Sequence, residues 1–286
     1  LAKQEASIMI KPKKLCVFIH FSEIQFFPKY VEIFVKELSL YFDELILVTN
    51  KRKIASEANV QFPNVRIMYV QNEGYDLGMF HKAIQTVNLG DYSQVACIND
   101  SNILFKSLGP VFTWGEKHEL DFWGLIDSYE SPLFSTHHDN YHIQSHFIIF
   151  NKKAIDLLPK FFQNLQLETL FKEKDLKKLR ENVINDWEIG LTQFFKQEGL
   201  KIGSYVDCGS FSEENNIKKG TNLSHVQYFR LIKEGYPAIK KRVVFQKKHL
   251  KFLFKPKIKW DFLIRKYGNM EWEIEELISE LKKMKG

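Results

Sequence analysis

Short apolar runs alternate with segments of helical period over the first hundred residues. "KLCVFIH" is followed by "FPKYVEIFVKELSLYF", with apolar residues at helical spacing, and then by "ELILVTN"; after a polar loop come "VRIMYV", "DLGMFHKAIQTV" and "SQVACI". Runs this short and this continuously apolar read as strands buried on both faces. A chain whose helices must each return it to the same sheet builds parallel strands with right-handed crossovers. The expected fold is therefore α/β, a Rossmann-like, nucleotide-binding architecture with a mixed, mostly parallel sheet flanked by helices.

Beyond Asp100 the order changes. "PVFTWGEKH" reads as a helix, "DFWGLI" as a short strand, "SYESPLFSTHHDNY" as a long polar loop and "HIQSHFIIF" as another strand. Helices are expected over 153–165, 167–182 and 186–198. "LKIGSYV" reads as a last strand, and "SHVQYFRLIKEGYP" as a helix stopped by Gly235 and Pro237. The final "NMEWEIEELISELKKMK" carries acids early and lysines late, matching a helix dipole.

A length of 286 residues suits one large α/β domain or a domain with an appended piece. The division expected is a main domain over 1–240 and a basic, amphipathic helical extension over 241–286, packed on it. The first residue is Leu1, as expected of a chain trimmed or excised from a longer one. No run reaches the roughly 18 apolar residues that cross a bilayer, and the opening "LAKQEASIMIKPKK" lacks a signal peptide's apolar segment. With Cys16, Cys97 and Cys208 far apart, buried free thiols are expected, and with them a cytoplasmic location. The net charge of +6 is concentrated: from Lys240 to Lys266 the only acid is Asp261. Such a segment favours an anionic surface, a membrane or a nucleic acid. Its interleaved Phe, Leu, Ile and Trp suit the membrane interface, at the inner face; a solvated basic face on a packed helix is the plainer alternative.

The stretch "VACINDSNILF" breaks a buried strand with Asn99-Asp100-Ser101-Asn102. Ligands of parallel sheets bind where the strands' carboxyl ends emerge, which places Asn99, Asp100 and Ser101 where chemistry is done. Asn, Asp and Ser also favour plain turns, so this stretch alone leaves both readings open. Ahead of it lies "QNEGYDLGMF", in which Asn72, Gly74, Asp76 and Gly78 open a helix. Glycines there let backbone N–H groups approach a phosphate, although a turn with an Asp helix cap would look the same. It is neither GxGxxG nor a P-loop. His20 after the first strand, and Thr49 and Asn50 after the second, are further candidates for nucleotide contact, with capping and turn roles equally open. His138, His142 and His146 are spaced four apart, which on a helix would suit zinc; the following "FIIF" argues for a strand, with His142, Gln144 and His146 on one face, where His142 and Gln144 would line a donor or acceptor pocket or the strand would simply be half-buried.

The combination is more specific than its parts. A loop Asn-x-Gly-x-Asp-x-Gly opening one helix, followed about twenty residues on by a buried strand ending in Asn-Asp-Ser, is similar to the layout of GT-A glycosyltransferases. More narrowly, "NEGYDLGMF", "INDSNILF", "DFWGL", "HIQSHFIIFNKKAI", "NDWEIGLTQFFKQEG" and "LIKEGYPAIKK", from about Leu15 to Arg242, resemble the rhamnan synthesis F family of polysaccharide glycosyltransferases. The resemblance implies a GT-A-like fold and an enzyme, a hexosyltransferase expected to invert, in bacterial cell-surface polysaccharide, lipopolysaccharide or cell-wall synthesis.

The donor it implies is a nucleoside-diphosphate sugar, dTDP-rhamnose or a UDP-sugar, and the acceptor a saccharide or lipid-linked saccharide. Asp100 would bridge Mg²⁺ or Mn²⁺ to the diphosphate, whose developing charge the metal neutralises. The usual motif is Asp-x-Asp, whereas Asn99-Asp100-Ser101 supplies one carboxylate, so Lys, Arg or backbone N–H would share the charge. An inverting transfer also needs a base for the acceptor hydroxyl. "INDWEIGL" offers Asp186 and Glu188, and the resemblance favours Glu188; acids in a helix's first turn also serve the dipole alone. Trp187 would stack on a sugar or pack in the core. No nucleic-acid partner is expected. The alternatives are a non-catalytic basic binding module on an inactive α/β scaffold, which would bind nucleic acid with a steep salt dependence, and a sugar nucleotidyltransferase.

Overall fold

The computed structural model describes residues 12–21, 26–53, 63–245 and 259–285. Four parallel strands form one half of the main sheet: β1 (Lys13–His20), β2 (Glu44–Thr49), β3 (Val65–Tyr69) and β4 (Tyr92–Asn99), in the order β3-β2-β1-β4. Helix α1 (Lys29–Leu38) connects β1 to β2, and α2 (Tyr75–Ile84) connects β3 to β4. The expected alternation is what the backbone does.

The second half mixes directions. After the short β5 (Asn102–Leu104) and α3 (Gly109–His118) comes β6 (Phe122–Ser128), then β7 (His142–Ile143) and β8 (Phe147–Asn151). β8 inserts antiparallel between β4 and β6, and β9 (Ile202–Val206) adds parallel to β6. The result is an eight-stranded, mostly parallel sheet flanked by helices, a GT-A-like α/β fold. "HIQSHFIIF" is two strands, because residues 144–146 turn out of the sheet between β7 and β8. "LKIGSYV" forms β9 but is not the last strand. β10 (Ala238–Lys240) follows and pairs antiparallel with β5, outside the main sheet.

Side chains alternate across β1 as a doubly covered strand requires. Cys16 and Phe18 join one core with Phe34, Trp123 and Leu231, while Leu15, Val17 and Ile19 join the other with Phe80, Phe150 and Trp187. The three cysteines are buried and free. No helix among the described residues is long and apolar enough to cross a membrane.

The helical stretch expected over 167–182 is broken in two: after α4 (Lys152–Asn164) come α5 (Leu167–Lys172) and α6 (Leu176–Val183). Asp175 caps α6 by accepting the N–H groups of Lys177 and Lys178. α6 then runs through a π-helical turn, Ile184–Ile189, into α7 (Gly190–Gln197). Later come α8 (Cys208–Glu214), α9 (Leu223–Val226), α10 (Tyr228–Lys233) and α11 (Lys241–Phe245), so "SHVQYFRLIKEGYP" is two short helices.

The carboxyl-terminal helices α12 (Trp260–Tyr267) and α13 (Ile274–Lys285) bury Leu263, Ile264, Leu277, Ile278 and Leu281 in the same core as Val31 and Phe34. The Lys29 N–H donates to Glu280 at 2.7 Å, tying α1 to α13. Lys247, Lys248, Lys251, Lys255 and Lys257, the centre of the basic segment, lie outside the described residues. Because Ile278 is 1% exposed within this shared core, Ile278→Ala should lower the unfolding free energy by about 2–5 kcal/mol. Urea denaturation followed by circular dichroism should show that loss in one transition; an unchanged main transition would mean the extension unfolds on its own.

Candidate functional site

The main sheet ends at a turn that carries the site. The Asp100 N–H donates to the Ile19 carbonyl at 3.0 Å, the last parallel link between β4 and β1. The Ser101 N–H then donates to Asn99 Oδ1 at 3.0 Å, a side-chain-closed turn that sends the chain into β5. Since Lys240 on β10 is in register with Asn102, and the Lys241 N–H donates to the Ser101 carbonyl at 2.8 Å, the start of the basic segment is pinned beside this turn.

Asp100 is 5% exposed, and three donors meet at its Oδ2: His20 Nδ1 at 2.7 Å, Lys241 Nζ at 2.9 Å and the Tyr30 hydroxyl at 3.2 Å. Burial opposes its ionisation, but the His20 hydrogen bond and the Lys241 charge outweigh burial and hold the carboxyl below its ordinary value. Burial and the neighbouring Asp100 charge push the Tyr30 hydroxyl up, so it stays a donor.

In front of Asp100 opens a cavity of about 720 Å³ at the carboxyl ends of β1 and β4, a size typical of small-molecule sites. Asn72, Asp76, Asn99, Asp100 and Ser101 line one side, and His142, Gln144 and Glu188 line it from the second half of the chain. Asn99 Nδ2 donates to Asp76 Oδ2 at 3.1 Å, joining the two loops singled out in the sequence. Burial, with a lesser contribution from the Glu188 charge, pushes Asp76 up to about 6.

Glu188 lies in the π-helical turn, a local widening of the helix often found at functional sites. Its Oε1 accepts from both the Ser145 N–H (3.1 Å) and the Ser145 hydroxyl (3.3 Å). No described residue donates to Oε2, so the carboxylate is fixed by one oxygen while the other is uncommitted. His142 donates from Nδ1 to the Asn140 carbonyl at 2.7 Å. Gln144 accepts from the Ser224 hydroxyl at 3.3 Å and donates to the Asp127 carbonyl at 3.4 Å.

The other sequence candidates sit elsewhere. His20 is fully buried behind Asp100 and acts on the cavity only through that carboxylate. Gly74, at φ 75°, and Gly78 shape the loop without lining the cavity: a Cβ on Gly74 would meet Phe171 at 2.8 Å, and one on Gly78 would overlap the Glu73 carbonyl. Thr49 is fully buried, accepts from the Lys51 N–H at 3.3 Å and does not line the cavity; nor does Asn50. Asp186 accepts from Asn185 at 2.8 Å, also away from the cavity. Trp187 is 0% exposed and packs against Phe80, Phe161 and Phe162, so packing, not sugar stacking, is its role.

Sequence reasoning missed the cations. Lys240, Lys241 and Arg242, read as the start of a tail, line the cavity together with Arg180 and His225. Burial pulls Lys240 down to about 8 against the opposing charges of Glu188 and Asp76, and pulls His225 down to about 4 with help from Lys240. Lys240 Nζ donates to His146 Nδ1 at 3.1 Å, and His146 Nε2 bonds the Tyr236 hydroxyl at 3.1 Å. The available signal was "AIKK", an apolar pair turning directly into lysines.

A divalent cation does not fit at Asp100 Oδ2. Such an ion takes carboxylate oxygens at roughly 2.0–2.6 Å, yet Asp100 Oδ2 is already met by three donors, one of them an ammonium. Among the described residues no three His, Cys, Asp or Glu side chains cluster so as to hold a metal ion. That includes the histidines considered for zinc: His142 and His146 have separate partners.

A mostly parallel sheet with a polar, cation-rich cavity at its carboxyl edge defines a GT-A-like α/β protein. The chain belongs to the rhamnan synthesis protein F family, whose model matches residues 45–256; that membership connects it with polysaccharide synthesis and supports a transferase. It is 28% identical over 224 residues to virulence protein VirA of Vibrio anguillarum, covering 70% of this chain and 69% of that one. Among solved structures it is similar to 4-diphosphocytidyl-2C-methyl-D-erythritol synthase from Anaerococcus prevotii, at 17% identity and a TM-score of 0.41 over 74% of this chain and 94% of that one. It is also similar to the bifunctional IspDF of Campylobacter jejuni, at 13% identity and a TM-score of 0.39 over 79% and 55%. Likeness of that degree says nothing of activity.

Asp76 gives a pH test of the geometry. With its carboxyl raised in the folded state, its contribution to stability is full below the unfolded value of about 4 and is lost as pH rises through about 6. Asp76→Asn should therefore gain stability relative to the unsubstituted protein between pH 4 and pH 7, read as the difference in urea midpoints. A pH-independent difference would place Asp76 in an ordinary solvated setting.

Proposed function

We propose that the protein is a glycosyltransferase that moves a sugar from a nucleoside-diphosphate sugar, dTDP-rhamnose or a UDP-sugar, to a growing cell-surface polysaccharide or glycolipid. The observation that carries this reading is the meeting in one cavity of Asp100, Glu188 and the Lys240–Arg242 cations from three distant parts of the chain. A departing nucleoside diphosphate develops negative charge, for which fixed cations in a partly desolvated cavity are suited. An attacking hydroxyl must lose a proton, and a carboxylate held by one oxygen is suited to accept it.

In this mechanism the nucleotide lies against the Asn72–Asp76 loop and the β4 turn, with its diphosphate towards Lys241. The acceptor enters from the side of His142 and Gln144, where the His142 ring and the Gln144 amide orient hydroxyl groups. Glu188 Oε2 takes the proton as the acceptor oxygen bonds to the anomeric carbon and the bond to the diphosphate breaks. Attack from the face opposite the leaving group inverts that carbon. The basic segment beyond Arg242 is suited to hold the enzyme at an anionic membrane that carries a lipid-linked acceptor.

Incubated with dTDP-rhamnose or a UDP-sugar and lipid-linked saccharide acceptors, the protein should release nucleoside diphosphate, with product anomers read by NMR. Glu188→Gln should lower kcat by about 10²- to 10⁴-fold with little change in the donor KM. Release of pyrophosphate from a nucleoside triphosphate and a sugar phosphate would instead make it a nucleotidyltransferase.

A further inference from the structure

Lys241 is built into the site in an unusual way for a surface-run lysine. Its ammonium is held at 2.9 Å by the buried Asp100 carboxylate and lies 5.2 Å from the centre of the Tyr30 ring. Its backbone is fixed by the Ser101 carbonyl and by the β5–β10 ribbon. An ammonium has three N–H donors, and among the described residues only Asp100 accepts from this one. The side chain is 25% exposed and lines the cavity, so its remaining donors are available to a ligand there. Arg242 lines the same wall.

Where GT-A-like sites place a metal, this chain places that ammonium. The two cannot share Asp100 Oδ2, because a cation bonded there would lie within about 2–3 Å of the oxygen, in the space Lys241 and His20 fill. Asp100 instead neutralises Lys241 part-way, holds it against Tyr30, and aims its free donors outward. Asn99 fits the same account, since a metal-binding turn would want a carboxylate there and this one uses the Asn99 side chain to close the turn on the Ser101 N–H and to brace it against Asp76.

We propose that Lys241, tethered by Asp100, is the cation that binds the diphosphate of the nucleotide, in the place of a divalent metal. This rests on the transferase reading, which it deepens by assigning the charge-neutralising group. Binding of a nucleoside diphosphate then needs no Mg²⁺ or Mn²⁺. Asp100 is a positioning residue and acts through Lys241.

Isothermal titration calorimetry with dTDP, UDP and inorganic pyrophosphate, each in excess EDTA and in Mn²⁺, tests this directly on the full chain. At least one probe should bind in EDTA with affinity within about threefold of that in Mn²⁺. Lys241→Met should weaken it by about 10- to 100-fold in both conditions, the loss expected for a hydrogen bond to a charged group. Lys241→Arg should recover most of the affinity, which a merely structural role would not predict, and thermal unfolding checks that each variant is folded. Binding that requires Mn²⁺ in the unsubstituted protein would overturn the proposal while leaving the transferase reading in place, and this arm needs no variant. Binding by none of the three probes in either condition would overturn both.

Discussion

A buried carboxylate must be solvated by protein, and Asp100 obtains that solvation from three separate parts of the chain. His20 ends the first strand, Tyr30 sits on the first helix, and Lys241 arrives 141 residues after Asp100 itself. Removing such a charge from water costs several kcal/mol unless it is paired and hydrogen-bonded. The sheet edge, the first crossover helix and the carboxyl-terminal ribbon are thereby held to one geometry. The core supplies most of the burial energy, but these bonds decide how the elements meet at the cavity.

The same requirement explains the break in the strand "VACINDSNILF". Residues up to Ile98 are fully buried between two cores, and Ile103 to Phe105 are fully buried again. Between them the chain must leave the main sheet, turn, and start a ribbon with β10. Asn99 serves both ends of that turn, accepting from the Ser101 N–H and donating to Asp76. The polar interruption is thus a turn and a cavity wall at once.

Local pattern made the parallel half of the fold legible, because doubly buried strands and amphipathic helices follow from spacing alone. Asn72, Asp76, Asn99 and Asp100 were legible with it, since all four sit where β-strands of that half hand over to turns or helices. What spacing does not encode is long-range pairing. The antiparallel insertion of β8 between β4 and β6, the β5–β10 ribbon and the entry of Lys240, Lys241 and Arg242 into the cavity all join residues far apart in sequence. Trp187 beside Glu188 shows the opposite limit. Neighbours in sequence point in different directions from a helix, so the tryptophan fills the core while the carboxylate faces the cavity. That division falls within the π-helical turn, and no residue type announces it.

Burial pulls several of the cavity's ionisable groups towards their neutral forms: Asp76 up to about 6, Lys240 down to about 8, His225 down to about 4, and His146 well below its ordinary value. At neutral pH such values leave Asp76 mostly ionised and Lys240 mostly an ammonium, each close enough to its midpoint for a ligand's charge to shift it. An anion entering the cavity changes the balance. Negative charge beside Lys240 favours the ammonium and disfavours the Asp76 carboxylate, so both groups move towards the protonated state in response to the ligand. The field that meets the anion is therefore strongest when the anion is present. Groups that respond in this way suit a site of the proposed kind, which would bind a highly charged nucleotide and then release it.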